Sequence, residues 1–175
     1  MAILVTGTPG AGKTTLVNYA QAQGDDRFFD ADEVTGLCEW REFDTGIVLG
    51  LVSEHEQKSD DDWFKNNGWY WKKEKLIDFV ESNPYAVLCG SSENIAECYP
   101  LFDKIVILNK SESELLQNLQ SPERKNPFGK TTKQRQGFMK WQNYLIKEAG
   151  NYHPIILEGN DISKTYRQII DMVNQ

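Results

Sequence analysis

The sequence predicts an α/β domain of three layers, a five-stranded parallel sheet between helices, with all 175 residues in one domain. Three observations carry this. Short continuous apolar runs of strand length recur along the chain. Most of the intervals between them hold apolar residues at helical spacing. The first run ends directly at a glycine- and proline-rich cluster. Strands alternating with helices in this way imply parallel strands joined by right-handed crossovers.

Taken in order, Ala2–Thr6 (AILVT) is apolar without interruption, the signature of a strand buried on both faces. Leu16, Val17 and Ala20 then fall at helical spacing, so the spacing predicts a helix from Lys13 to about Gln23, stopped at Gly24. Further strands are expected at Arg27–Asp30, Ala86–Cys89, Lys104–Leu108 and Pro154–Leu157. Helical patterns span 43–58, 69–82, 111–120, 131–149 and 161–174, with Ser111 and Asp161 as helix-start residues. Two stretches are too long or too polar for plain crossovers. They are 32–72, and 121–131 with its two prolines and a glycine; such excursions from a compact domain are usually functional.

The chemistry is written most clearly in Gly7-Thr-Pro-Gly-Ala-Gly-Lys-Thr14, which matches G-x-x-x-x-G-K-[ST] in full. Glycines let the backbone wrap a phosphate chain with its N–H groups turned inward, and the following helix adds the positive end of its dipole. Gly7, Pro9, Gly10, Ala11, Gly12, Lys13, Thr14 and Thr15 are therefore expected to bind ATP. Lys13 would reach the β- and γ-phosphates, and the Thr14 hydroxyl would ligate Mg²⁺. The chain thus reads as a P-loop NTPase fold of the nucleotide-kinase type.

Asp30-Ala-Asp32-Glu33 closes the second strand, at the sheet edge where ligands gather in open α/β folds. One carboxylate would serve Mg²⁺ and the other would align an acceptor hydroxyl or take its proton. Asp30 is assigned to the metal and Asp32 to catalysis, with the reverse assignment open; Asp32 or Glu33 as a mere helix cap is the plainer alternative. Gly90, Ser91 and Ser92 follow the third strand at the same edge and are candidates to face an acceptor. Phosphoryl transfer needs cations at the migrating group. Arg124, Lys125 and Lys130 in the second excursion and Arg135 on the helix beyond are the candidates, with Arg124 and Arg135 taken as catalytic. Against this stands a solvated charge cluster on a loop. Arg41 is either a grip for an anionic group or a surface residue, and His55 reads as surface.

With these residues in order, the chain resembles the adenylate kinase-like small-molecule kinases, the group of nucleoside monophosphate kinases, shikimate kinase and gluconate kinase. Ile3–Leu16 looks like the start of nuclear-type adenylate kinases, and Phe29-Asp-Ala-Asp32 like the Asp-x-Asp of shikimate kinases. Val87–Leu108 is similar to uncharacterised bacterial members, which also carry an Asn-Pro-aromatic-Gly-Lys lid, here Asn126 to Lys130. The glycine run of shikimate kinases after the third strand is reduced to Gly90, and their carboxylate-gripping arginine set is not evident. The resemblance implies Mg²⁺-dependent phosphotransfer from ATP to a nucleotide, nucleoside or other hydroxyl metabolite. It makes 32–72 a helical acceptor-binding arm, 121–131 a short lid, and Gly159-Asn160-Asp161 the adenine cradle, with Asn160 as a binding residue. Four of the five tryptophans fall in the arm, either as core or as stacking surfaces for a substrate.

A net charge of −7 argues against broad nucleic-acid binding, which needs a positive field. No apolar run is long enough to span a membrane. The three cysteines, Cys38, Cys89 and Cys98, lack framework spacing and read as free thiols packed as small hydrophobes. With the phosphate loop at Gly7 leaving no room for a signal peptide, the expectation is a cytoplasmic protein, monomeric or homodimeric. A P-loop ATPase working on a protein partner is the alternative function. A nucleotide-binding module without catalysis ranks below both.

Overall fold

A computed structural model of the chain describes residues 1–49, 63–121, 129 and 131–174. Five strands form one sheet: β1 (Ile3–Thr6), β2 (Phe28–Asp30), β5 (Val87–Cys89), β6 (Lys104–Leu108) and β7 (Ile155–Leu157), in the order β2-β5-β1-β6-β7. Every neighbouring pair is parallel, in registers such as Ile3↔Val87, Leu4↔Ile105, Phe28↔Val87 and Val106↔Ile155. All five expected strands are present.

Successive strand residues point to opposite faces, and each face has its own core. Ile3, Val5, Val87 and Val106 pack with Leu16, Val17 and Ala20 of α1 (Lys13–Ala22) and with Ile169 and Val173 of the last helix, α7 (Ile162–Val173). Leu4, Leu88, Ile105 and Ile107 pack on the other side with Leu76 of α3 (Lys73–Ser82) and Leu145 of α6 (Thr132–Glu148). The unbroken apolar runs are what a sheet covered on both faces demands. Helix starts follow the expected residues. Ser111 makes a full capping box with Glu114 at α5 (Glu112–Leu119), and Asp161 caps α7 through the Lys164 amide. Behind the sheet edge, Asp25 is buried and takes a two-pronged ion pair from Arg27 together with the Tyr166 hydroxyl, joining the end of α1 to β2 and α7. Hydrogen bonds from Arg27 hold the Asp25 carboxyl below its ordinary range.

The excursion after β2 departs from the expected helices. Cys38–Glu42 is a strand, β3, and it pairs antiparallel with β4, Asn67–Trp71, in the register Trp40↔Trp69. Residues 43–46 turn, and Val48 bridges back to Arg41, so no helix begins at 43; the remainder of that expected helix lies outside the described residues. The helix expected from 69 starts at Lys73 instead. Within the described arm only the single turn α2 (Trp63–Asn66) is α-helical, and a 3-10 turn at Ala31–Glu33 opens it. The reason is period. Trp69 and Trp71 stand two apart and oppose alternating residues of β3, and aromatic residues favour such pleated, half-buried surfaces. The Asn94 side chain accepts from the Trp71 amide through Oδ1 and donates to the Trp71 carbonyl through Nδ2, which fastens β4 to the segment that follows β5. That segment continues as a single turn of helix, α4 (Ile95–Cys98).

Candidate active site

The phosphate loop lies between β1 and α1. A Cβ at Gly7 would sit 2.8 Å from the Leu108 carbonyl oxygen and 3.0 Å from the Ala11 Cβ, so only glycine permits this approach to β6. Gly12, at φ 103°, takes the left-handed turn that launches α1. Asn118 of α5 donates to the Gly10 carbonyl at 2.8 Å, and the Thr8 hydroxyl donates to the Phe138 carbonyl at 3.1 Å, which anchors the loop to two helices. Pro9, Gly10, Gly12, Lys13, Thr14 and Thr15 line a cleft of about 1450 Å³; Gly7 and Ala11 lie beneath it. The Lys13 ammonium curls into its own loop, donating to the carbonyls of Gly7 at 2.5 Å and Thr8 at 3.2 Å.

The two aspartates of the Asp-x-Asp pair diverge. Asp30 Oδ2 accepts from the Thr14 hydroxyl at 2.9 Å, and its Oδ1 caps the Asp32 amide. Asp32 Oδ1 accepts from the Trp69 indole N–H at 2.9 Å, across the cleft floor from the arm. Crowding by protein raises the Asp32 carboxyl above its ordinary range, and the charges of Asp30 and Glu33 add to that; Trp69 and Lys13 pull the other way. The side chain is nevertheless open to the cleft, so it is accessible to a substrate. Glu93, which lines the same cleft from the segment after β5, is raised by desolvation as well.

A hydroxyl and a carboxylate oxygen already 2.9 Å apart form a hard, oxygen-only donor pair of the kind that Mg²⁺ takes alongside phosphate oxygens. Thr14 and Asp30 therefore fit the metal that the phosphate loop implies.

Other expected residues are distributed unevenly. Asn160 lines the cleft, as does Gly159. Arg135 does not: it sits over a small recess with Leu115, Leu119 and Met139 and donates to the Gly129 carbonyl and the Thr132 hydroxyl, so it ties Gly129 to the first turn of α6. Arg124, Lys125, Asn126 and Lys130 lie outside the described residues, as does His55. Arg41 pairs with Glu39 at 2.7 Å and covers the Tyr70 ring, away from the cleft lining. The tryptophans of the arm split: Trp71 is fully buried in the core, Trp40 borders the cleft but is itself buried, and Trp69 lines the cleft partly exposed.

Sequence reasoning missed Lys110. It is 8% exposed, reaches the cleft, and donates to the Gly159 carbonyl at 3.0 Å and Asn160 Oδ1 at 3.1 Å. Its position two residues past an apolar strand, at the sheet's carboxyl edge, was the available signal. Trp141 was missed too; its indole donates to the Ser91 hydroxyl at 3.1 Å and its ring faces the same cleft.

No family model matches the chain, and no curated protein matches it by sequence. Solved structures do match over nearly its whole length. The shikimate kinase of Acinetobacter baumannii, in complex with shikimate, superposes with a TM-score of 0.59 at 16% identity, covering 99% of this chain and 92% of that one. A gluconokinase from Sinorhizobium meliloti 1021 gives 0.54 at 16% identity, covering 99% and 91%. The deoxyadenosine kinase of M. mycoides, with products dCMP and a flexible dCDP, gives 0.54 at 12% identity, covering 99% of each chain. The chain has the fold of the adenylate kinase-like P-loop small-molecule kinases. Among the described residues, no helix is long and apolar enough to cross a membrane.

Proposed function

We propose that this chain is an ATP-dependent phosphotransferase that moves the γ-phosphate to a hydroxyl of a small molecule. The observation that carries this reading is continuity. One cleft runs from the phosphate loop, past Thr14 and Asp30, to Asp32 and the aromatic arm. Single ligand sites usually occupy about 300–1,000 Å³, so a cleft of about 1450 Å³ has room for donor and acceptor together.

In this reading the loop amides and Lys13 hold the β- and γ-phosphates; Lys13 leaves the carbonyls of Gly7 and Thr8 for the phosphate oxygens. Thr14 and Asp30 hold Mg²⁺, which when bound neutralises phosphate charge. Asp32 receives the acceptor hydroxyl and takes its proton. The hydroxyl oxygen forms a new bond to the γ-phosphorus, the bond from that phosphorus to the β–γ bridging oxygen breaks, and ADP departs. Lys110 with Asn160 borders the nucleoside end of ATP. No covalent enzyme intermediate is needed, because positioning and charge neutralisation supply the catalysis.

The test is ATP consumption against a panel of nucleosides, nucleotides and small alcohols. Acceptor-dependent turnover with a phosphorylated product supports the reading. Slow hydrolysis indifferent to every acceptor sinks it and favours an ATPase that acts on a protein partner.

A further inference from the structure

Resting on the phosphotransfer reading, the acceptor end of the cleft narrows the class of molecule that is phosphorylated. We infer that the acceptor is a hydroxyl-bearing ring compound without an anionic group, stacked on the aromatic wall and hydrogen-bonded by Ser92.

Three observations converge. The first is charge. At the acceptor end the described lining carries three carboxylates, Asp32, Glu33 and Glu93, against one cation, Lys65. The other lining cations belong elsewhere: Lys13 to the phosphate loop, Lys110 to Gly159 and Asn160, and Lys133 to the first turn of α6 beside the lid. No arginine is among the described lining residues, and Arg41 is spent on Glu39 and Tyr70. A phosphate or carboxylate on the acceptor would therefore meet like charge, which opposes binding, with no bidentate partner among these residues to offset it.

The second is surface. Phe64, Trp69 and Trp141 line the cleft with partly exposed rings, from the arm on one side and α6 on the other, and Trp40, itself buried, backs Phe64 and Trp69. Aromatic faces offer flat apolar area to a ring, and they attract cations, so an amine on the acceptor suits both the rings and the carboxylates.

The third is an unsatisfied group. Ser92 is 3% exposed, lines the cleft, and its hydroxyl has no hydrogen-bond partner among the described residues. A buried hydroxyl without a partner costs stability. Its neighbour Ser91, by contrast, accepts from the Trp141 indole. A polar group on the acceptor would complete it.

Two sources offer this chemistry, nucleosides and neutral or amino-bearing sugars and cyclitols, and the test separates them. Binding would be titrated by tryptophan fluorescence with a non-hydrolysable ATP analogue and Mg²⁺ present, and turnover measured with ATP. The probes are adenosine and cytidine with their 5′-monophosphates, inositol and glucosamine, and gluconate and shikimate as acids. The expected result is that an uncharged or cationic ring binds about tenfold or more tightly than the anionic probes. Ser92→Ala should weaken that binding about five- to tenfold while the thermal midpoint holds or rises, because a purely structural serine would not separate the two. An anionic probe that binds as well as its uncharged counterpart overturns the inference. So does unchanged affinity in Ser92→Ala, or failure of every uncharged and cationic ring to bind beside the bound analogue. An uncharged ring that binds in the cleft but is never phosphorylated overturns the phosphotransfer reading alone.

Discussion

The two ends of the cleft are built on opposite plans. At the phosphate end, one contiguous segment, Gly7–Thr14, supplies amides, ammonium and hydroxyl, and rigid neighbours hold it in place: Leu108 beneath Gly7, Asn118 at Gly10, Phe138 at Thr8. At the other end, proposed for the acceptor, residues from four separate places meet: Asp32 after β2, Trp40 and Trp69 on the ribbon, Glu93 and Ser92 after β5, Trp141 on α6. A contiguous site can be read from a string of letters, because the chain itself brings its members together. A composite site exists only after folding. The same contrast separates what the chain shares with its structural neighbours from what distinguishes it.

The most severe way to probe this division is to remove Lys13. Lys13→Ala should lower turnover by about 10²–10³-fold, yet leave acceptor binding in the fluorescence titration nearly intact. Loss of both together would mean that the ends are not separable. Asp32→Asn tests the junction. Losing the proton acceptor should reduce kcat by about 10²-fold or more. The variant should also have a higher thermal midpoint at neutral pH, since Asp32 is charged there at a cost. The raised carboxyl pKa means that this cost is absent when the group is protonated, so the gain should shrink as pH falls through the carboxylate range. A gain that persists in acid would assign the stabilisation to something other than charge.

Asp25 sharpens the comparison from the other side, as an aspartate of the scaffold. Its pKa is lowered, so its contribution to stability is present above the ordinary carboxylate range and is lost as pH falls through the depressed value. Asp25→Ala should cost about 2 kcal/mol at neutral pH, a modest figure because Arg27 is partly exposed. Denaturant titrations of the two proteins should converge in acid. The smallest effect is expected from Trp69→Phe, which keeps a ring but removes the N–H that favours ionised Asp32. The acid limb of kcat/KM should move to higher pH, with a change of only a few-fold at neutral pH. A limb that stays in place would show that Asp32 does not titrate in the rate.

Much of this was legible in the letters, and unevenly so. The strands were readable because a sheet covered on both faces needs unbroken apolar runs, and Ile3–Thr6 and Lys104–Leu108 leave little choice. The phosphate loop and the Asp-x-Asp were readable because their chemistry is local. The arm was not, because Trp69 and Trp71 carry a two-residue period over too few positions to be told from a helical stripe, and the partner strand that fixes their pleat lies about thirty residues away. Arg135, expected at the migrating phosphate, faces α5 rather than the cleft; its place on a helix after the second excursion does not say which neighbour that helix face meets. Ser92 was already a candidate from its place after the third strand, whereas Lys110 gained its significance from the Gly159 and Asn160 groups around it.

Asn94 carries a last consequence. With one amide side chain it does for β4 what a neighbouring strand would do, and the Glu93 amide adds a bond to the Trp69 carbonyl at 2.7 Å. The ribbon is thereby stitched into the cooperative unit of the sheet instead of hanging from it as an appendage. Hydrogen exchange at the Trp71 amide should then track global unfolding, as core strands do. A graft that replaced the ribbon to change specificity would have to bring its own stitch, or it would melt separately from the body that it serves.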